Sequence, residues 1–241
     1  MGGKINAYFD CVSPYAFFAF LHLRKNRALL ASYGIDIEMF PIFLGGVNVA
    51  TGNNFFQYLS QSYVFSFSRR NKPPFTVPAK AKYGTFDRVR SAKYFGVRDF
   101  TVPEFFPILS LLPQRCMTYV KEKYSKDRFE DAFLVLWEYI FFQHLDISKP
   151  ENMIRALADG KFAEPEIREI MAAAGGQEFK QKLLDRTQEA VDRGAYGAPW
   201  FWVRNEKGEE EPFFGSDRFH YMWEFLGIPW SDIQIGAKPS L

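Results

Sequence analysis

Short strand-like stretches stand at both ends of the chain, with longer helical runs between them. Lys4–Phe9 (KINAYF) is rich in β-forming residues and reads as a strand. Asp10-Cys11-Val12-Ser13-Pro14 follows, then Tyr15–Leu30, an aromatic and aliphatic run of helical length. Ser13 offers an N-cap oxygen, and Pro14 suits the first helical position because its missing N–H would be unpaired there anyway. Ile35–Phe40 (IDIEMF) alternates apolar with polar residues, the period of a half-buried strand. The start of the chain is therefore expected to be a βαβ unit.

From Phe86 to Val191 most segments have helical composition, notably Arg128–Phe142, Met153–Leu157, Glu164–Ala174 and Glu178–Arg193. Prolines at 103, 107, 113, 150 and 165 punctuate them. Strand character returns at Trp200–Val203 (WFWV) and Pro212–Phe214. The polar turn between them, Asn205–Glu210, contains Lys207-Gly208, the pattern of a β-hairpin. A last helix is expected over Asp217–Leu226. The order βαβ, helices, ββα predicts an α/β protein: a thioredoxin-like domain (residues 1–75 and 194–241) interrupted by an inserted helical domain (76–193). One stretch, Phe55–Arg70 (FFQYLSQSYVFSFSRR), has neither caps nor a periodic face and reads as an atypical insertion.

Composition narrows the function classes. The apolar fraction is 47%, enough for a sizeable core, and the 27 phenylalanines suit packed helix faces better than a substrate pocket. A net charge of +2 without basic runs argues against nucleic acid and anionic membranes as main partners. Cys11 and Cys116 form no CxxC pair, and the histidines are scattered singly, so neither a disulfide framework nor a metal site is expected. No apolar stretch reaches the roughly 18 residues a membrane span needs, and no targeting leader is visible. The expectation is a soluble cytoplasmic protein. The C-terminal Pro239-Ser240-Leu241 keeps only the final Leu of a peroxisomal signal.

Four motifs in order, Phe9-Asp10-Cys11-Val12-Ser13-Pro14-Tyr15, Phe43-Leu44-Gly45-Gly46, Tyr196-Gly197-Ala198-Pro199 and Phe214-Gly215-Ser216-Asp217-Arg218, resemble kappa-class glutathione transferases. That family includes the 2-hydroxychromene-2-carboxylate isomerases and is related to DsbA-like oxidoreductases. Each motif alone is weak; four in register with the predicted fold order are specific. The resemblance implies a DsbA-like scaffold, a homodimer, glutathione as co-substrate and a small hydrophobic electrophile as partner. Relatives occur in mitochondria and peroxisomes, which keeps the mitochondrial matrix and the peroxisome as alternative locations.

The resemblance assigns Ser13 the place of the attacking cysteine of thioredoxin relatives. Glutathione acts as a thiolate, so its thiol pKa must fall. A hydroxyl donating to the sulfur and a helix N-terminus both favour the anion, and Ser13 sits where the two meet. By the same resemblance Pro14 and Tyr15 flank the tripeptide, and Pro199 is expected cis. Ala198 pairs with its cysteinyl backbone, and Ser216 and Asp217 receive its γ-glutamyl carboxylate and ammonium. Asn53 matches a family Gly-Asn contact. The pattern departs there, because Lys72-Pro73-Pro74 arrives only after the insertion, which makes Asn71 a rival and the insertion either a lid or an intron-derived remnant.

Disulfide exchange is excluded, since Ser13-Pro14-Tyr15-Ala16 contains no cysteine. Transfer to an electrophile and glutathione-dependent isomerisation need the same thiolate, and the sequence does not separate them. A non-catalytic glutathione-binding or assembly protein is the third reading.

Overall fold

The computed structural model describes residues 2–51 and 76–231. Asn53, Asn71, the 55–70 insertion and Pro239-Ser240-Leu241 lie outside the described residues.

β1 (Lys4–Phe9), α1 (Pro14–Ser32) and β2 (Asp36–Pro41) make the expected βαβ unit, with the two strands parallel and Phe9 opposite Pro41. Ala16 N donates to Ser13 Oγ at 3.1 Å, so the predicted N-cap is formed. The first half of α1 is apolar on every side, and Ala16, Phe17, Phe18, Ala19 and Phe20 are all buried. Gly34, at φ 72°, turns the chain back into β2, a conformation that carries no Cβ penalty in glycine.

β3 (Trp200–Arg204) and β4 (Glu210–Phe214) pair as an antiparallel hairpin, and β3 also lies antiparallel to β1, giving the sheet order β2-β1-β3-β4. Asn205 Oδ1 accepts from the Lys207 and Glu209 amides, and Gly208 takes φ 84°, which together close the predicted turn. Between the two halves run α2 (Leu44–Ala50), α3 (Pro78–Tyr94), α4 (Leu111–Lys123), α5 (Lys126–Phe141), α6 (Pro150–Asp159), α7 (Glu164–Gly175) and α8 (Gln177–Asp192); α9 (Phe219–Phe225) follows β4.

The phenylalanines are largely core. Phe9 of β1 meets Phe20 of α1, Trp137 of α5 and Phe201 of β3 edge-on, with ring centroids 5.7, 6.4 and 6.1 Å apart. One apolar cluster thus joins the sheet, α1 and the helices around α5.

Three elements differ from the sequence expectation. α4 was hidden by Pro113, which the pattern reads as punctuation; it occupies the third position of the helix, within the first turn, where no intrahelical N–H is required. α2 carries Gly45 and Gly46, poor helix formers. Tertiary bonds start it anyway: Phe43 N donates to Thr187 Oγ1 at 3.0 Å and Leu44 N to Asp10 Oδ2 at 2.7 Å. A Cβ on Gly45 would run into the Phe43 ring. The last helix begins at Phe219 rather than Asp217, with Arg218 as N-cap. Arg218 Nη1 instead ties Phe214 O and Asp217 Oδ1, each at 3.0 Å, into a non-helical turn.

Candidate functional site

β1 delivers the chain to a tight turn in which Ser13 N donates to Asp10 O at 3.0 Å. Ser13 keeps an extended backbone (φ −92°, ψ 117°), so its side chain folds over the start of α1. Its Oγ accepts from Ala16 N and donates to Ala198 O at 2.9 Å. The hydroxyl is buried, yet both its accepting and donating capacities are used.

Ala198 and Pro199 are joined by a cis peptide bond just ahead of β3. The Pro199 carbonyl accepts from Gly215 N at 3.2 Å, which holds the proline loop against the end of β4. Gly215 adopts φ 90°, a backbone that disfavours any residue with a Cβ; a Cβ there would also stand 2.6 Å from Asp217 Oδ1 and push that exposed carboxylate aside. Ser216 is buried, whereas the Asp217 side chain is 71% exposed and paired with Arg218. The structure therefore brings Ser13, Ala198 and Pro199 into one locus. Ser216 and Asp217 reach it through the Pro199–Gly215 bond, ahead of the last helix rather than within its first turn.

The first turn of α1 leaves one donor over. Pro14 has no N–H, Ala16 N is taken by Ser13 Oγ and Phe17 N by Ser13 O at 3.2 Å. The Tyr15 amide has no hydrogen-bond acceptor among the described residues. Its side chain points elsewhere: Tyr15 Oη donates to Asp87 Oδ2 of α3 at 2.6 Å, and burial followed by that carboxylate raises its hydroxyl pKa.

Sequence reasoning passed over Asp10 as a site residue, although it stands inside the first motif. Asp10 is fully buried. Oδ1 accepts from Val12 N at 3.0 Å, and Oδ2 accepts from Leu44 N and Ser110 Oγ, each at 2.7 Å. Burial pushes its carboxyl up to about 6, opposed by these bonds and one from the Cys11 thiol. Beside it, buried Gln114 of α4 donates through Nε2 to Phe9 O at 2.8 Å and Ile42 O at 2.6 Å, strapping the ends of β1 and β2 together. Its place inside the first motif was the one local signal; its bond to Leu44 of the second motif shows only in the structure.

Cys11 and Cys116 are free and buried. Burial, then the Asp10 charge, puts the Cys11 thiol well above its ordinary range; burial pushes Cys116 up to about 12. Neither is a thiolate at neutral pH. Among the described residues no group of His, Cys, Asp and Glu could hold a metal, and no helix is long and apolar enough to cross a membrane. A cavity of about 700 Å³ opens between α1, α3 and α9. His22, Arg90, Tyr94, Trp223, Ser216 and Asp217 are among the residues that line it; Ser13 and Ala198 are not. The Ser13 locus, built of satisfied polar contacts at the head of α1, is the better-defined site.

A β2-β1-β3-β4 sheet, a helix starting in the turn after β1 and a cis-proline opposite that turn define a thioredoxin-fold protein, here with serine at the head of the helix. The chain belongs to the DsbA-like thioredoxin family, whose domain model matches residues 4–227. It is 27% identical over 229 residues to glutathione S-transferase kappa 1 of Caenorhabditis elegans, covering 94% of this chain and 92% of that protein. Glutathione s-transferase kappa 2 of the same organism is 26% identical over 98% of this chain and 97% of its own length. A solved 2-hydroxychromene-2-carboxylate isomerase shares the fold with a TM-score of 0.70 and 17% identity, covering 93% of this chain and 94% of that one.

Proposed function

We propose that this protein is a glutathione transferase of the kappa type, with Ser13 stabilising the glutathione thiolate for attack on a small apolar electrophile. The observation that carries this reading is the Ser13 hydroxyl, held between Ala16 N at the head of α1 and the Ala198 carbonyl of the cis-proline loop. Relatives named kappa transferases match over almost the whole chain, which supports transfer over isomerisation. Disulfide exchange lacks its thiolates.

In this reading the Ser13 proton has two acceptors in turn. Without ligand the hydroxyl donates to Ala198 O. A peptide N–H of the tripeptide, added along the proline loop like a strand, satisfies Ala198 O and frees the hydroxyl to donate to a sulfur anion. The Tyr15 amide, without an acceptor among the described residues, and the α1 N-terminus add positive potential at the same place, worth about 0.3–2 kcal/mol. A hydrogen bond to a charged group contributes about 1.5–3 kcal/mol. One pKa unit is about 1.4 kcal/mol, so together they lower the thiol by roughly one to three and a half units.

Pro14 and Tyr15 at the head of α1 border the tripeptide, Ser216 and Asp217 take its γ-glutamyl end, and Asn53 of the Gly52-Asn53 pair remains the proposed further contact. The electrophile is proposed to pack on aromatics of the inserted helical domain (76–193), which carries exposed Tyr83 and Phe86 on α3. The assembly is proposed to be a homodimer. The cytoplasm is the proposed compartment, and two free buried cysteines accord with a reducing one. The direct test is conjugation of glutathione to 1-chloro-2,4-dinitrobenzene by the purified chain: turnover lost on Ser13→Ala supports the reading, and glutathione binding with no turnover of any electrophile refutes it.

A further inference from the structure

Asp10 is a fully buried carboxylate three residues before Ser13, and no cation pairs with it among the described residues. The groups facing it are the Cys11 thiol and Val12 amide on its own turn, the Leu44 amide of α2 and the Ser110 hydroxyl heading α4. Cys116 of α4 lies near Cys11, and Arg115 acts on Cys116. An ionised carboxylate has only acceptor sites, and every neighbour here donates. A protonated one must point an O–H at an acceptor, and the amides of Val12 and Leu44 cannot become acceptors. Ser110 can, by rotating its hydroxyl, but the new proton then competes with Leu44 N–H at Oδ2. The hydrogen-bond donors around Asp10 thus match its ionised form, burial opposes it, and protonation weakens a bond that ties the Ser13 turn to α2.

The turn has little freedom to spare. Val12 N on Oδ1 fixes the residue before Ser13, and Ser13 N on Asp10 O fixes Ser13 itself. Ser13 Oγ must meet Ala16 N and the Ala198 loop together, and that demands a single placement.

We propose that Asp10 is a positioning residue for Ser13: its ionised carboxylate clamps the turn to α2 and α4, and its protonation loosens the turn and slows turnover. The inference rests on the transferase reading for its kinetic consequence but not for the clamp. Because the Ser110 bond favours the anion, removing it shifts protonation to higher pH, a signature that a purely structural role does not produce.

The test follows turnover of glutathione with 1-chloro-2,4-dinitrobenzene between pH 5 and 8, alongside amide-exchange protection of residues 11–17 in the ligand-free full chain. Expected are an acid limb in kcat near pH 6 with at least a fivefold fall, and a matching drop in protection. In Ser110→Ala both move to higher pH by roughly half a unit or more. Asp10→Asn gives low protection at every pH with no step, and low turnover whose only limb is that of the bound thiol. Protection that is flat across this range, or a step at the same pH in wild type and Ser110→Ala, would overturn the proposal. A protection step that moves in Ser110→Ala in a protein that turns over nothing confirms the clamp and overturns the transferase reading instead.

Discussion

Ser13 Oγ and Ala198 O stand 2.9 Å apart although 185 residues separate them in sequence. The bond joins the turn at the head of α1 to the proline loop ahead of β3, and it parks the Ser13 proton on an acceptor that a bound peptide N–H can take over.

Ser13→Ala removes both that donor and the cap on Ala16 N. Steady-state kinetics are expected to show turnover at least tenfold lower, with glutathione affinity changed less than threefold, because the tripeptide is held by other groups as well. Losing an N-cap costs about 1 kcal/mol, which a denaturant melt reads independently of activity.

Phe20 is fully buried and touches Phe9, Phe133 and Trp137. Phe20→Ala is expected to cost about 3–5 kcal/mol in urea denaturation, since the cavity has sheet and helices on all sides.

Stability should also record the buried Asp10. Its folded pKa, about 6, lies above the ordinary 3.8, so the native state holds this proton more tightly than the unfolded chain. The group's contribution is therefore complete below about pH 4 and lost as pH rises through 6. Two units correspond to about 3 kcal/mol. The stability advantage of wild type over Asp10→Asn is expected to shrink by about that much between pH 4 and 7, measured by denaturant melts at each pH. A constant difference would mean that Asp10 does not titrate in this range.

Asp217→Asn is expected to weaken glutathione binding by about 1 kcal/mol in calorimetric titration. This is less than the roughly 1.5–3 kcal/mol of a charged hydrogen bond, because the carboxylate is largely exposed. An analogue lacking the γ-glutamyl ammonium should bind wild type and variant alike; a variant that still discriminates against the analogue would leave Asp217 as a turn residue only.

Local patterns made the strands, α1, its Ser13 cap and the Gly208 turn legible, because alternation, caps and turn residues act over a few positions. Ser13, Ala198 and Pro199 could be nominated only through a family resemblance, since nothing local says that residues 13 and 198 meet. What stayed hidden was tertiary. α2 starts on bonds to Asp10 and Thr187 that outweigh its glycines. α4 tolerates Pro113 because of where the proline falls. Ser216 and Asp217 look like a helix start, but Arg218 draws Asp217 and Phe214 O into a turn that postpones the helix to Phe219. Asp10 reads as an ordinary loop acid until Ser110, 100 residues away, is seen to donate to it.

In the proposed mechanism Ser13 lowers the pKa of a bound thiol, and ultraviolet titration of the thiolate in the glutathione complex measures this directly. Wild type is expected to show the bound thiol roughly one to three and a half pKa units below free glutathione, and Ser13→Ala about one unit or more above wild type, at saturating ligand. The same pKa in both complexes would contradict the account, even if turnover differed.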